Sequence, residues 1–265
     1  MGNLLYRLLI LLNDQDYDSV DYHIAMRMLQ HYHELSDMTI SEVAAMCNVA
    51  KSTISKVIRK LGYEDYADFR SAAPFQENKY GFDLNYNMNI AQFIEDKGIS
   101  AYAEIIQRDI SCTLQCLEEN SVNRLAEALV TYPKVVAMGL MFSETAALDL
   151  QEKLAYNGKF VVTSMSDLKQ ERLLEQIDEE TLLIIYSNSG NYLKGKQLSE
   201  FHEPKDFSKV KGKLALITSN PEMENYPGVD ICLCFGHSTN VQTHANIYPF
   251  VNDIIVQAYR RLSRS

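Results

Sequence analysis

The chain has 265 residues, a formal charge of -10 at pH 7 and 46% hydrophobic residues. That length accommodates two domains with cores of their own, and the absence of any apolar run near about twenty residues argues against a membrane span. The five cysteines and six histidines show no zinc-ligand spacing, so the cysteines read as reduced core residues of a cytoplasmic protein, with no metal site and no cofactor expected.

The first periodic segment covers residues 3–12. Arg7 interrupts its apolar run and acidic Asp14, Asp16 and Asp18 follow without a small-residue cleavage site, so it reads as a packing helix, not a secretory leader. A second helix over 22–32 places Ile24, Ala25, Met28, Leu29 and Tyr32 on one face. His23, His31 and His33 point in different directions on such a helix and lack a third ligand, so they make no metal site.

Residues 39–62 carry two helical periods with an interruption between them. Ile40, Val43 and Ala44 form the first, Cys47-Asn48-Val49 breaks it, and Ile54, Val57, Ile58 and Leu61 restart it. This is helix-turn-helix spacing, with small Ala44 at the crossing and Asn48 where the turn needs left-handed backbone. The second helix carries Lys51, Lys56, Arg59 and Lys60 and no acid, with the hydroxyls of Ser52, Thr53 and Ser55 toward its start. Those seven residues are the candidate contacts to a major groove of double-stranded DNA. Residues 1–75 hold seven basic and ten acidic side chains, so a two-fold pair of such helices is expected to be needed for useful affinity.

The segment Arg59-Lys60-Leu61-Gly62-Tyr63, followed by Tyr66, Phe69 and Arg70, resembles the end of the amino-terminal domain of the RpiR family of bacterial transcriptional regulators. The resemblance covers residues 1–73. One departure is Ala50, where the family usually has a serine cap, which leaves Ser52 or the turn backbone to satisfy the first amides.

Residues 76–90 read as a linker. A helical region over 90–119, broken near Gly98, turns Ile105, Ile106, Ile110, Leu114 and Leu117 inward, and a helix over 122–131 is capped by Asn120 or Ser121. Then the period changes. Runs at 135–140, 159–164, 181–187, 213–219 and 229–235 are short and continuously apolar, as buried parallel strands are. A final helix over 244–262 closes the chain. The fold class is an all-α helix-turn-helix domain followed by a three-layer α/β domain with a five-stranded parallel sheet, the domains being 1–75 and 91–265.

Ligands of such sheets collect at the carboxyl ends of the strands. Ser143 and Glu144 start a helix after the first strand, where the dipole favours an anion, and Ser187, Asn188, Ser189, Gly190 and Tyr192 follow the third apolar core strand as an anion-cradling turn. Gly139, Ser143 and Lys153-Leu154, with Ser187, Ser189 and Gly190, resemble the sugar isomerase (SIS) domain, the phosphosugar module of RpiR-type regulators. Met141 and Tyr192 depart from it, standing where the family has glycine and a small hydroxyl residue. The lysine-rich stretch 193–213 reads as a solvated loop and helix.

The resemblance implies a homodimeric or homotetrameric regulator of sugar metabolism genes whose operator affinity follows a sugar phosphate effector. An alternative that the departures fit is a regulator whose SIS domain serves only oligomerisation. A sugar-phosphate isomerase would require a base, for which Glu144, His237 and His244 are the candidates; no catalytic residue is assigned.

Overall fold

The computed structural model describes residues 3–73, 86–140, 142–194, 207 and 210–264, and the chain divides into two units between Asn85 and Tyr86. Residues 76–85 of the expected linker lie outside the described residues, and residues 86–90 are already helical.

The amino-terminal unit is helical: α1 (Asn3–Asn13), α2 (Val20–Gln30), a short 3-10 turn (Tyr32–Glu34), α3 (Ile40–Met46), α4 (Lys51–Lys60) and α5 (Tyr66–Ala72). Side-chain oxygens start three of these helices, as expected where the first amides lack intrahelical partners. Ser19 accepts from the Tyr22 amide, Asp65 from the Asp68 amide, and Thr39 with Glu42 closes a reciprocal capping box. Leu4, Leu8, Ile24, Met28, Leu35, Ile54 and Phe69 are fully buried between the helices, each contributing about 1.5–3 kcal/mol of transfer free energy. Arg7 fits the same core because its Nη1 donates to the Leu61 carbonyl at 2.9 Å and its guanidinium lies 4.9 Å from the centre of the Tyr63 ring.

The carboxyl-terminal unit begins with α6 (Tyr86–Lys97), α7 (Ile99–Cys116) and α8 (Glu119–Thr131), with the break at Gly98 where the sequence places it. Two expectations are corrected. The α8 helix starts at Glu119, so Asn120 and Ser121 lie inside it and cap nothing. On α7 the buried stripe is Ile105, Asp109 and Thr113, whereas Leu114 is 64% exposed. The helix is rotated because the polar pair is bonded to the loop after the last strand, as described below.

The sheet has four parallel strands in the order β1 (Lys134–Met138), β2 (Thr181–Tyr186), β3 (Lys213–Thr218), β4 (Ile231–Cys234). The expected fifth strand over 159–164 is reduced to one parallel bridge, Val162 to Val136. The cause is its edge position: only Val161 reaches the core, while Phe160 and Val162 face out at 76% and 50% exposure. Between β1 and β2 run α9 (Phe142–Ala155) and α10 (Asp167–Glu175), and α11 (His244–Ser263) ends the chain.

Alternation along the strands gives the layers. Val135, Ala137, Leu182, Ile184, Ala215 and Ile217 pack with residues of α8, α9 and α11 on one face. Val136, Met138, Leu183, Ile185, Leu214 and Leu216 meet Ile177, Tyr192, Leu193, Phe207 and Met223 on the other. Both faces are covered, which is why the strands read as unbroken apolar runs.

Candidate functional sites

In the amino-terminal unit, α3 and α4 are joined by a turn in which Asn48 has φ 55°, the left-handed conformation assigned to it from sequence. Ile54, Val57 and Ile58 are buried, and with 100° per residue the outermost positions are Ser52, Lys56 and Arg59. Lys51 and Lys60 flank this stripe. All five are exposed, Thr53 is half-buried, and the Ser55 hydroxyl donates back to the Lys51 carbonyl at 3.1 Å. Lys60 pairs with Asp21 of α2 at 2.7 Å. Lys51, Lys56 and Arg59 have no ion pair among the described residues. No side chain caps α4 at Ala50, Ser52 included; of the two arrangements expected to replace the missing serine it is the turn backbone that contributes, the Ala50 carbonyl accepting from the Thr53 amide at 2.9 Å.

In the carboxyl-terminal unit, the bridge at Val162 lies on the far side of β1 from β2. The chain therefore leaves β1 to one side and returns to β2 on the other, and the crevice outside the carboxyl ends of β1 and β2 is the topological switch point of the sheet. The 139–144 and 187–192 segments follow those two strand ends. Met141 lies outside the described residues.

The turn after β1 is tight. A Cβ on Gly139 would lie 2.5 Å from the Ser143 backbone. Ser143 is buried, and its hydroxyl shares a 3.3 Å hydrogen bond with the Tyr248 hydroxyl of α11. Glu144 is 1% exposed with Oε1 unpartnered among the described residues, and burial pushes its carboxyl up to about 8, opposed by a hydrogen bond from Gln170 and reinforced by the Asp167 charge. Gln170, a residue the sequence did not single out, ties three segments together. Its Nε2 donates to the carbonyls of Gly139 and Ser164 at 2.7 and 2.8 Å, and its Oε1 accepts from the Tyr192 hydroxyl at 2.8 Å.

Tyr192 thus turns its ring into the core, at 4% exposure, and does not occupy the turn. Its amide donates to the Ser187 hydroxyl oxygen at 3.2 Å. Gly190 has φ 78° and a Cβ there would strike Met223 at 2.5 Å, so glycine is required. The Asn188 carbonyl accepts from the Thr218 hydroxyl at 2.9 Å and the Ser219 hydroxyl at 3.1 Å, and Asn220 Nδ2 donates to the Ser189 carbonyl at 3.1 Å. The loop after β3 therefore braces the loop after β2. Ser189 is exposed, and Asn188 Oδ1 is buried without a partner among the described residues.

The loop after β4 is held by α7. Asp109 Oδ1 accepts from the Ser238 amide and hydroxyl at 2.8 and 2.7 Å, its Oδ2 accepts from the Thr243 hydroxyl, and the Thr113 hydroxyl donates to the Gly236 carbonyl at 3.3 Å. His237 and His244 have ring centres 5.7 Å apart, and His244 stands 5.7 Å from Tyr248. Burial, with help from His237, brings the His244 imidazole down to about 3. His237, His244 and Tyr248 thus form a row ending at Ser143, whereas Glu144 turns to Gln170. Among the described residues no cluster of His, Cys, Asp or Glu suits a metal ion, and no helix is long and apolar enough to cross a membrane.

The two units define a class: a helix-turn-helix domain followed by an α/β unit with a parallel sheet. Residues 8–74 match the helix-turn-helix domain of the rpiR family. The amino-terminal unit is an RpiR-family helix-turn-helix domain. The chain is 24% identical over 176 residues to an uncharacterised helix-turn-helix transcriptional regulator of Providencia stuartii, and 22% identical over 171 residues to the regulator GlvR of Bacillus subtilis. Each match takes in 64% of this chain and 61% of the relative, so the chain spans about three fifths of the curated relatives' length. By structure it is similar to the Vibrio vulnificus NanR protein complexed with ManNAc-6P, with TM-score 0.50, 16% identity, 97% of this chain covered and 91% of that one. A candidate sugar-phosphate isomerase of Listeria monocytogenes aligns with TM-score 0.50 and 18% identity, over 66% of this chain and 89% of that one. These likenesses establish the SIS-type fold of the carboxyl-terminal unit.

Proposed function

We propose that the protein is a transcriptional regulator that binds double-stranded DNA through α4 and responds to a sugar phosphate bound outside the ends of β1 and β2. The observation that carries the effector half is the Ser187–Gly190 turn at the switch point. Its Ser189 hydroxyl is exposed, its Asn188 Oδ1 lacks a partner among the described residues, and Tyr192 is folded away beneath it. The Vibrio vulnificus relative in fold is complexed with a sugar phosphate, which supports the same ligand class here. The DNA half rests on the helix-turn-helix domain and the exposed stripe Ser52, Lys56, Arg59.

A second reading keeps the DNA half and gives the SIS-type unit only an oligomerisation role. It is favoured by Ser143, whose hydroxyl is buried against Tyr248 and turned toward α11.

The DNA half is tested with duplexes enriched by the protein from a random-sequence pool. Lys56→Ala and Arg59→Ala each weaken binding, and each lowers the slope of log affinity against log salt by about 1 if the side chain meets a phosphate. Unchanged affinity and slope in both variants remove α4 from the interface.

A further inference from the structure

The helix α4 carries four cations, and one of them already has an anion for a partner. Lys60 Nζ lies 2.7 Å from Asp21 Oδ2, with the two side chains 48% and 29% exposed. Lys51, Lys56 and Arg59 have no ion pair among the described residues. At 100° per residue Lys60 stands about 40° round the helix from Lys56, beside the exposed stripe. Asp21 comes from another element. It sits in the first turn of α2, where Ser19 caps the helix and the dipole favours a carboxylate. Two helices of one unit thus bring an acid and a cation of α4 to the same point.

We propose that Asp21 withholds Lys60 from DNA and so limits the sequence-independent part of the affinity of α4. The inference rests on the DNA half of the function proposed above. Phosphate contacts add affinity mainly by releasing the counterions condensed on DNA. A lysine already neutralised by a carboxylate gives no such gain, because the acid that it leaves must take up a cation in its place. The Asp21 charge would also then stand unpaired beside the phosphate.

With Lys60 held, α4 meets the backbone through Lys51, Lys56 and Arg59, in a stretch, residues 1–75, that keeps ten acids against seven bases. Phosphate contacts carry no sequence information. Withholding one lowers binding to every duplex, and leaves a larger share of the affinity to the groups of α4 that read base edges.

The test uses the full chain with two duplexes of equal length, one enriched by the protein from a random-sequence pool and one of unrelated sequence, each titrated over a range of salt. Asp21→Asn is expected to tighten both about three- to tenfold near about 0.1 M salt, and to steepen the slope of log affinity against log salt by about 1 for each copy bound. The gain should vanish when Lys60→Ala is added. Lys60→Ala alone should change affinity by less than about twofold and leave the slope as it is, unlike Lys56→Ala. Asp21→Glu keeps the charge within reach of Lys60 and should bind as the unmodified chain does. Asp18→Asn, at a position without an ion pair among the described residues, controls for net charge.

A loss of affinity and slope in Lys60→Ala as large as that in Lys56→Ala would place Lys60 on a phosphate already and overturn the proposal. So would an Asp21→Asn chain that binds no tighter, or a gain matched by Asp18→Asn or kept in the Lys60→Ala background, where the acid acts by net charge alone. If Lys56→Ala and Arg59→Ala change nothing, the proposal falls together with the DNA half; if they weaken binding, any of the other results overturns the role of Asp21 alone.

Discussion

Glu144 sits at the first turn of α9, where the helix dipole favours a carboxylate, yet burial wins and holds its proton up to about 8. The sign of the consequence follows from linkage. Between the ordinary value of 4.5 and about 8, the unfolded chain has released this proton and the folded chain has kept it. The unfolded state then binds fewer protons, so this residue lowers stability as pH rises through that window. Glu144→Gln keeps the shape and removes the titration. Its melting temperature is expected to exceed that of the unmodified chain by a margin that grows from pH 5 toward about 8, and equal slopes of melting temperature against pH would contradict the burial argument. Little of this was legible in the sequence. Ser143 and Glu144 could be placed at a helix start, but that Ser143 meets Tyr248 and Glu144 meets Gln170 depends on segments far apart in the chain. Gln170 gave no signal, because a glutamine on a short polar helix reads as solvated.

At the scale of elements, the helix-turn-helix was readable because two helical periods and their interruption lie within about two dozen residues. Asn48 takes the left-handed turn at φ 55°. Asn48→Ala is therefore expected to cost about 1 kcal/mol of stability and Asn48→Gly close to nothing. Chemical denaturation of the two variants checks this, and equal losses in both would mean that the Asn48 side chain, not its backbone, holds the turn. The opposite case is α7. Its apolar residues suggested one inward face, but Asp109 and Thr113 are the fully buried ones, since an aspartate accepting three hydrogen bonds from the 238–243 loop is stable where an unpaired one is not. Periodicity weighs apolar residues and has no way to register a polar residue whose partner lies more than a hundred positions away. The run 159–164 failed for a different reason: only its centre, Phe160-Val161-Val162, is apolar, and at the edge Phe160 and Val162 remain exposed.

For the whole molecule, the change of period after residue 133 marked the passage from helices to a sheet, and the parallel direction of its strands agrees with connections too long for hairpins. Together these placed the two loops at one end of the sheet before any contact was known. What the order adds is the reversal between β1 and β2, which singles out that crevice among the strand ends. The account predicts a protein whose folded state gains free energy from a sugar phosphate and whose DNA affinity follows from it, by preferential binding to one of two states. Ser189 is the most exposed polar group of the turn, so its loss should weaken the ligand without unfolding the protein. Ser189→Ala is expected to cost about 1 kcal/mol, or roughly fivefold in dissociation constant, as read by calorimetry with the sugar phosphate that binds; an unchanged constant would move the site.

The central claim is tested most directly by thermal unfolding of the purified full chain against a panel of sugar phosphates and the corresponding unphosphorylated sugars. A ligand bound only by the folded state raises the midpoint by mass action. The account predicts that at least one phosphorylated sugar raises it in a concentration-dependent way while its unphosphorylated counterpart does not. A panel that leaves the midpoint unmoved throughout, or that moves it equally with and without the phosphate, would contradict the effector site and leave the SIS-type unit as an oligomerisation module.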